Sequence, residues 1–361
     1  MRKSILFLFV LIAFTAACLQ GTDIPPEKPK PKYIPVTTTQ PVSDVVYPIA
    51  VIGGGAGGTM AAHRAVLNNR QVLLFTGAKH ELSNSRGMWV RKVENIPGLE
   101  KYTRAVVELR NETLQRIVSG PFSDKLFVIT DSVVQIEKQQ ELYCLTDTQG
   151  RSYLVRYVVL ATGMMDVQPH IQGSIEPILS YANKQHINYC LLCDGHRAFG
   201  KKTVIIGHSD DAAKSAILLW DRYKPETLAI VTNGVPSAFS DEVRAQLEVR
   251  GIMVLEEAIV DILGEKELKE FKGFKLESSE VAADIGFVLL GIRPNNMLAK
   301  QLNLELDDRG LVIADKDGET ASRNVFVIGD LRANSMKQIY TAWQHAVDAM
   351  QVIDRRIRAE G

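Results

Sequence analysis

At 361 residues the chain is too long for one ordinary hydrophobic core, and its 46% apolar composition suits a globular protein of about two domains. Lys plus Arg, 42, equals Asp plus Glu, 42, which leaves no long-range field to draw nucleic acid or an anionic surface. Nucleic-acid partners are therefore set aside.

The N-terminus reads as a targeting segment: Arg2 and Lys3, an apolar run from Ile5 to Ala13, then Thr15, Ala16 and Ala17 before Cys18. The run is shorter than the ~20 apolar residues of a spanning helix, so residues 1–18 are expected to be a cleaved signal. The expected location is the periplasm or cell envelope. Cys18 is similar to the acceptor cysteine of a bacterial lipoprotein, although Thr15 stands where an aliphatic residue is usual; signal cleavage nearby without lipid is the alternative. A membrane would then be met only through that lipid or signal anchor. The apolar run is not preceded by paired arginines, which points to export unfolded, with any flavin loaded outside the cytoplasm. Residues 19–46 carry Pro25, Pro26, Pro29, Pro31, Pro35 and Pro41 among lysines and threonines, the composition of an extended spacer at ~3.1 Å per residue.

The body opens with a strand over Pro48–Ile52, a turn of glycines, a helix over Thr59–Leu67 and a strand over Gln71–Phe75. Gly53, Gly55 and Gly58 stand in G-x-G-x-x-G spacing, which suits a dinucleotide: a tight turn, backbone N–H groups close to a pyrophosphate, and close helix packing. Phe75-Thr76-Gly77 lacks the acidic residue often found there for a ribose hydroxyl, so Thr76 or a backbone group would serve. A β-rich stretch from Lys125 ends in Tyr157-Val158-Val159-Leu160 and Ala161-Thr162-Gly163.

The chemistry centres on Tyr189-Cys190-Leu191-Leu192-Cys193-Asp194-Gly195. Two thiols two residues apart can close a disulfide and reopen it, and the adjacent carboxylate can move the proton. An ordinary Asp-Gly turn is the plain alternative for Asp194 and Gly195. Of the other cysteines, Cys144 reads as a core thiol. Cys190, Cys193 and His196, with His186 upstream, are spaced like zinc ligands, but a structural site wants a fourth ligand and the chain offers no second paired motif, so no metal is expected. His186, His196 and His345 read as surface or packing residues, with His186 or His345 as an extra base in the alternative.

A second nucleotide-type unit follows: a strand over Thr203–Ile206, the turn Gly207-His208-Ser209-Asp210-Asp211-Ala212, a helix through Leu219 and a strand over Leu228–Val231. Strands over Gly286–Leu290 and Val325–Ile328 precede a closing helix with Ile339, Trp343, Ala346, Met350, Ile353 and Ile357 on one face.

These pieces, in this order, resemble the thioredoxin reductase family of two-domain flavoproteins. The carriers are Gly53-x-Gly55-x-x-Gly58, Val93-Glu94-Asn95-Ile96-Pro97-Gly98, Ala161-Thr162-Gly163, Cys190-x-x-Cys193-Asp194-Gly195 and Val325-Phe326-Val327-Ile328-Gly329-Asp330. The resemblance implies an α/β fold of two Rossmann-like, three-layer ββα domains. Residues 47–163 and 287–361 would bind FAD, with 164–286 an inserted NAD(P)-type domain that carries the cysteine pair. It implies FAD on Gly53, Gly55 and Gly58, with Asn95, Gly163 and Gly329 in the surrounding motifs and Asp330 holding a ribityl hydroxyl. Lys337-Gln338 stands where the family usually has Arg-Gln, at the helix N-terminus that faces the flavin. Cys193 would be the thiol facing the flavin, Cys190 the one exchanging with substrate, and Asp194 the acid/base. A homodimer is also implied.

The second turn departs from the family. Ser209 replaces the middle glycine between Gly207 and Ala212, and Asp211 adds negative charge where a phosphate would sit. Val231-Thr232-Asn233-Gly234 lacks the arginines that hold a 2′-phosphate. NAD(P)H binding is therefore doubtful, and the resemblance narrows to the branch of dithiol oxidases that pass electrons through FAD to oxygen or another acceptor. The alternatives are an NAD(P)H-dependent reductase and a flavin-binding module without turnover. The expected partner is a small dithiol or disulfide, or a thioredoxin-like protein.

Overall fold

The computed structural model describes residues 36, 38–42, 45–77, 86–89, 91–182, 184–265 and 270–360. The leader, Cys18 and the spacer as far as Pro35 lie outside these residues. In chain order the elements begin with β1 (Val46–Ile52), α1 (Ala56–Leu67), β2 (Val72–Phe75), α2 (Arg86–Trp89), α3 (Ala105–Val118), β3 (Leu126–Ile129), β4 (Val133–Gln139), β5 (Leu142–Asp147) and β6 (Ser152–Leu160). Next come β7 (Met164–Asp166), α4 (Glu176–Ala182), β8 (Ile187–Asn188), α5 (Leu191–Asp194), β9 (Lys202–Ile206), α6 (Asp210–Tyr223), β10 (Thr227–Val231), α7 (Asp241–Val249) and β11 (Met253–Leu255). The chain ends with β12 (Ile259–Leu263), β13 (Gly273–Leu276), β14 (Glu280–Ala282), β15 (Ile285–Val288), β16 (Ile292–Pro294), α8 (Met297–Gln301), β17 (Val325–Val327) and α9 (Ile339–Glu360).

Among the described residues, the first sheet has the order β3-β2-β1-β6-β5-β4, with β17 beside the end of β6. β1, β2, β3, β6 and β17 pair in parallel, and β4 and β5 form an antiparallel flap on the start of β6. One face carries α1 and α9: Ala61, Ala62 and Ala65 pack with Ala346, Ala349, Met350 and Ile353. Small side chains on α1 let the two helices lie close against the sheet. The other face is filled by Tyr143, Leu145, Val155 and their neighbours.

The second sheet is parallel throughout, in the order β11-β10-β9-β15-β8. The antiparallel β12-β13-β14 covers one face through Ile262 and Phe274, and α6 and α7 cover the other through Ala213, Ile217, Val243 and Leu247. This is the three-layer ββα arrangement that the resemblance implies, with the β12–β14 sheet as its second β layer. The strands β12–β14 and the helices α3 and α7 are not among the elements individually expected from the sequence. Among the described residues no helix is long and apolar enough to cross a membrane.

Val36 and Thr38 lie on the body. Val36 packs against the α1–α9 core, and the Thr38 hydroxyl accepts a hydrogen bond from Val128 N–H at 2.8 Å. β3 is an edge strand, and its outward amide takes the partner that passes it.

The closing helix is clamped at its far end. Arg356 donates from both terminal nitrogens to Glu319, at 2.6 Å each, and stacks over Phe326 at 5.8 Å. Arg356→Met should therefore cost about 1 to 2 kcal/mol in denaturant unfolding at pH 7, as expected for a bidentate, partly buried pair. A variant as stable as the parent would show that the clamp contributes nothing.

Candidate functional site: a glycine turn, a disulfide and a carboxylic acid

The first glycine turn is shaped by its neighbours. Ala161 N–H donates to Ile52 O at 2.8 Å, so the end of β6 runs beside the turn. Gly53 has φ +118°, and a Cβ there would lie 2.2 Å from Ala161 O; one on Gly58 would lie 1.8 Å from Gly53 O. Both glycines are required by the protein itself. Gly55 differs, because a Cβ there would meet nothing within 4 Å. Gly55 is also the N-cap of α1, with no side-chain cap and no acidic residue in the first turn. The positive end of the helix is thus left to a ligand, and the open space beside Gly55 suits a pyrophosphate. These residues fit the dinucleotide that the motif implies.

A cavity of about 480 Å³ extends from this turn to the disulfide, lined by Gly53, Gly55, Thr76, Asn95, Gly163, Gly329, Asp330, Lys337, Gln338 and the cysteine pair with Asp194. Of the residues singled out for the cofactor, only Gly58 lies beneath the lining. Thr76 is 9% exposed and directs its hydroxyl to Ile129 O at 3.4 Å, which leaves the hydroxyl oxygen as an acceptor. Lys337 turns its ammonium to the Arg332 carbonyl and to Ser335 Oγ at 3.3 Å. Burial raises the Asp330 carboxyl, against the opposing charges of Arg86 and Lys337.

Cys190 and Cys193 are joined as a disulfide, with Cys190 capping the short α5. The Gln338 amide donates to Cys193 Sγ at 3.3 Å, and Gln338 Oε1 accepts from Asn95 Nδ2 at 2.9 Å. Val93, Ile96 and Leu99 pack under Ile339 and Trp343 of α9, which places Asn95 beside Gln338. His196 Nε2 lies 3.1 Å from Glu94 Oε2. His345 is buried in α9, where burial lowers it to about 4, and His186 packs beside Phe271 with its pKa also lowered by burial. Cys144 is a free thiol in β5.

Asp194 is 8% exposed, and burial pushes its carboxyl up to about 6 against the charges of Arg197, His196 and Arg86. Arg197 lies between two carboxylates, 3.6 Å from Asp194 and 3.0 Å from Glu94. Such a group can give up and recover a proton near neutral pH. Sequence reasoning missed two contributors. Arg197 follows the motif without matching it, and Arg86 pairs with Asp166 of β7, its Nε 2.7 Å from the carboxylate, while facing Asp194 and Asp330 electrostatically. The partners are 80 residues apart, so no local pattern could announce them.

At the second turn, Ser209 caps α6 itself: its Oγ accepts from Ala212 N–H at 3.3 Å. Asp210 in the first turn accepts from Ser240 N–H at 2.8 Å and Oγ at 3.0 Å, and Ala238 N–H donates to His208 O at 2.8 Å. The loop after β10 therefore lies on the turn. Gly207 is needed for packing, since a Cβ would sit 2.5 Å from that of Ala212. Asn233 spends its amide on His170 O at 3.0 Å and its oxygen on Ile259 N–H at 2.9 Å.

Two outcomes are expected. Gly58→Ala should lower both thermal stability and FAD affinity, whereas Gly55→Ala should keep the stability and lose affinity about tenfold or more; equal melting losses in the two variants would contradict the geometry. For Asp194, the folded pKa lies above the unfolded one, so its contribution is full below about pH 4 and is lost as pH rises through about 6. Asp194→Asn should then be more stable than the parent by about 2 to 3 kcal/mol at pH 8 and equal to it at pH 4, by denaturant unfolding. A difference that does not change with pH would refute the buried-acid account.

Comparison with known proteins shows the family of the chain. The pattern of the pyridine nucleotide-disulphide oxidoreductase family matches residues 47–346. The chain is 25% identical to thioredoxin reductase of Mycoplasma genitalium over 313 residues, 85% of this chain and 94% of that one. It is 25% identical to that of Treponema pallidum over 300 residues, covering 82% and 92%. The crystal structure of thioredoxin reductase from Streptococcus pyogenes superimposes with a TM-score of 0.74 at 20% identity, covering 88% of this chain and 100% of that one. The chain belongs to the pyridine nucleotide-disulphide oxidoreductase family, as a thioredoxin reductase-like, flavin-dependent enzyme.

Proposed function

We propose that the protein is an exported dithiol oxidase that converts two substrate thiols to a disulfide, acting as a homodimer without NAD(P)H. The observation that carries this reading is the self-capped second turn. Ser209 occupies the α6 N-terminus with its own hydroxyl, and Asp210 and Asp211 follow it, so a pyrophosphate would meet a satisfied donor and two carboxylates. The export leader and the oxidising space it implies support the direction of flow.

In the reaction, a substrate thiolate attacks Cys190 Sγ and the Cys190–Cys193 bond breaks, leaving a thiolate on Cys193. The second substrate thiolate then attacks the substrate sulfur of the mixed disulfide, the bond from that sulfur to Cys190 Sγ breaks, the substrate leaves as a disulfide, and the departing Cys190 sulfur takes a proton from Asp194. FAD held at the glycine turn would supply the two-electron acceptor that restores the Cys190–Cys193 disulfide and yields the electrons to oxygen or another acceptor. The pair is partly exposed, so a substrate thiolate can reach it, and substrate selection is left to the surface around Cys190. A small dithiol or a thioredoxin-like protein fits this chemistry.

The test is anaerobic, on the purified protein, with NADPH, NADH and a dithiol added separately and the flavin absorption followed. Dithiol alone should bleach the flavin, and Cys193→Ser should abolish bleaching. Bleaching by NADPH or NADH would restore the reductase reading carried by the names of the relatives. A flavin unchanged by every reagent would leave a binding module.

A further inference from the structure

Gln338 touches the disulfide directly. The residue is 7% exposed, with Nε2 3.3 Å from Cys193 Sγ and 3.7 Å from Cys190 Sγ, and with Oε1 farther from Cys193 Sγ than Nε2, at 3.6 Å. Its orientation is set from behind, because Asn95 Nδ2 donates to Gln338 Oε1 at 2.9 Å. A disulfide sulfur carries no proton, so the amide N–H is the group that can face it favourably.

We propose that Gln338, oriented by Asn95, stabilises the thiolate released on Cys193 and thereby directs incoming thiolates to Cys190. This rests on the thiol–disulfide chemistry proposed above. When RS⁻ forms its bond to Cys190 Sγ, the Cys190–Cys193 bond breaks and the electron pair stays on Cys193 Sγ; no proton is needed. The N–H contact is weak to a neutral sulfur and charge-assisted to a thiolate, so it favours the state in which the charge has moved.

Attack on the other sulfur would place the charge on Cys190. That sulfur lies 3.7 Å from the Gln338 nitrogen, and its nearer donor, Cys193 N–H at 3.2 Å, is shared with Cys190 O at 3.1 Å. A bifurcated donor gives less to either acceptor. The asymmetry of the Gln338 amide therefore selects Cys193 as the leaving sulfur. It also gives Asn95 a positioning role, one residue beyond the sulfur.

The experiment reads thiolate formation and needs no substrate turnover. The flavin-loaded protein is reduced anaerobically with a phosphine and alkylated with iodoacetamide across pH 5 to 10, and Cys190 and Cys193 are quantified separately by peptide mass spectrometry. Asp194, Glu94, Arg197, His196 and Arg86 face this region and act alike in every sample, so the comparison is between variants. Gln338→Leu should raise the pH of half-maximal Cys193 alkylation by about one unit, a roughly tenfold loss of thiolate at a given pH, and leave Cys190 in place. Asn95→Ala should move Cys193 the same way by less, and it decides the matter if Gln338→Leu does not fold. Superimposed Cys193 profiles, or a shift in Cys190 alone, would overturn the proposal. Failure of a dithiol to bleach the flavin would sink the oxidase reading and leave this result standing.

Discussion

The hydrogen bonds from Asn95 to Gln338 and from Gln338 to Cys193 fix the disulfide over the cavity, with Glu94 against Arg197 and His196 beside them. The partners arrive from separate segments: the loop after α2, the residue before α9, and α5 among the strands of the second sheet. The relation between glycine turn and disulfide thus depends on side-chain contacts that contribute about 1 kcal/mol each. One mixed and one parallel sheet, each with a full core, supply rigidity on either side, and residues of the first sheet and of the segment after β8 line the cavity at the redox pair.

The two nucleotide-type turns show how one backbone plan serves opposite ends. Both place a helix N-terminus at the end of a parallel strand, where orphan N–H groups attract anions. At Gly55 the protein leaves those groups without a side-chain cap and keeps the adjoining space open. At Ser209 it satisfies one of them with its own hydroxyl and ties the flanking Asp210 to Ser240. The Ser209 hydroxyl thus supplies at the second helix the side-chain cap that the first helix lacks.

Charge is buried around the disulfide at some expense to stability. Arg86 with Asp166, Arg197 between Asp194 and Glu94, and Asp330 all carry ionisable groups in or near the cavity. Burial of such groups is at best neutral for folding unless each is paired. Here the pairing is partial, and Asp194 answers by taking up a proton more readily than an exposed carboxylate would. The same desolvation that weakens the folded state supplies an acid near neutral pH.

Much of this was legible in the chain. Glycine spacing after an apolar strand, the Cys-x-x-Cys-Asp run and the order of the motifs determined the fold class, the cofactor turn and the redox pair, because each depends on residues close in sequence. Ser209, Asp211 and the missing arginines after Val231 marked the second turn as a departure, whereas the hydrogen bond from Ala212 N–H to the Ser209 hydroxyl appears only in the folded turn. Tertiary structure decided the rest. Arg86 meets Asp166 across 80 residues, and Gln338 meets Cys193 across 145. Contacts at such separation leave no periodic or local trace, because they are set by how two sheets and the closing helix pack rather than by any stretch of chain. The raised pKa of Asp194 belongs to the same class: burial is a property of the surroundings, and the surroundings exist only in the folded chain.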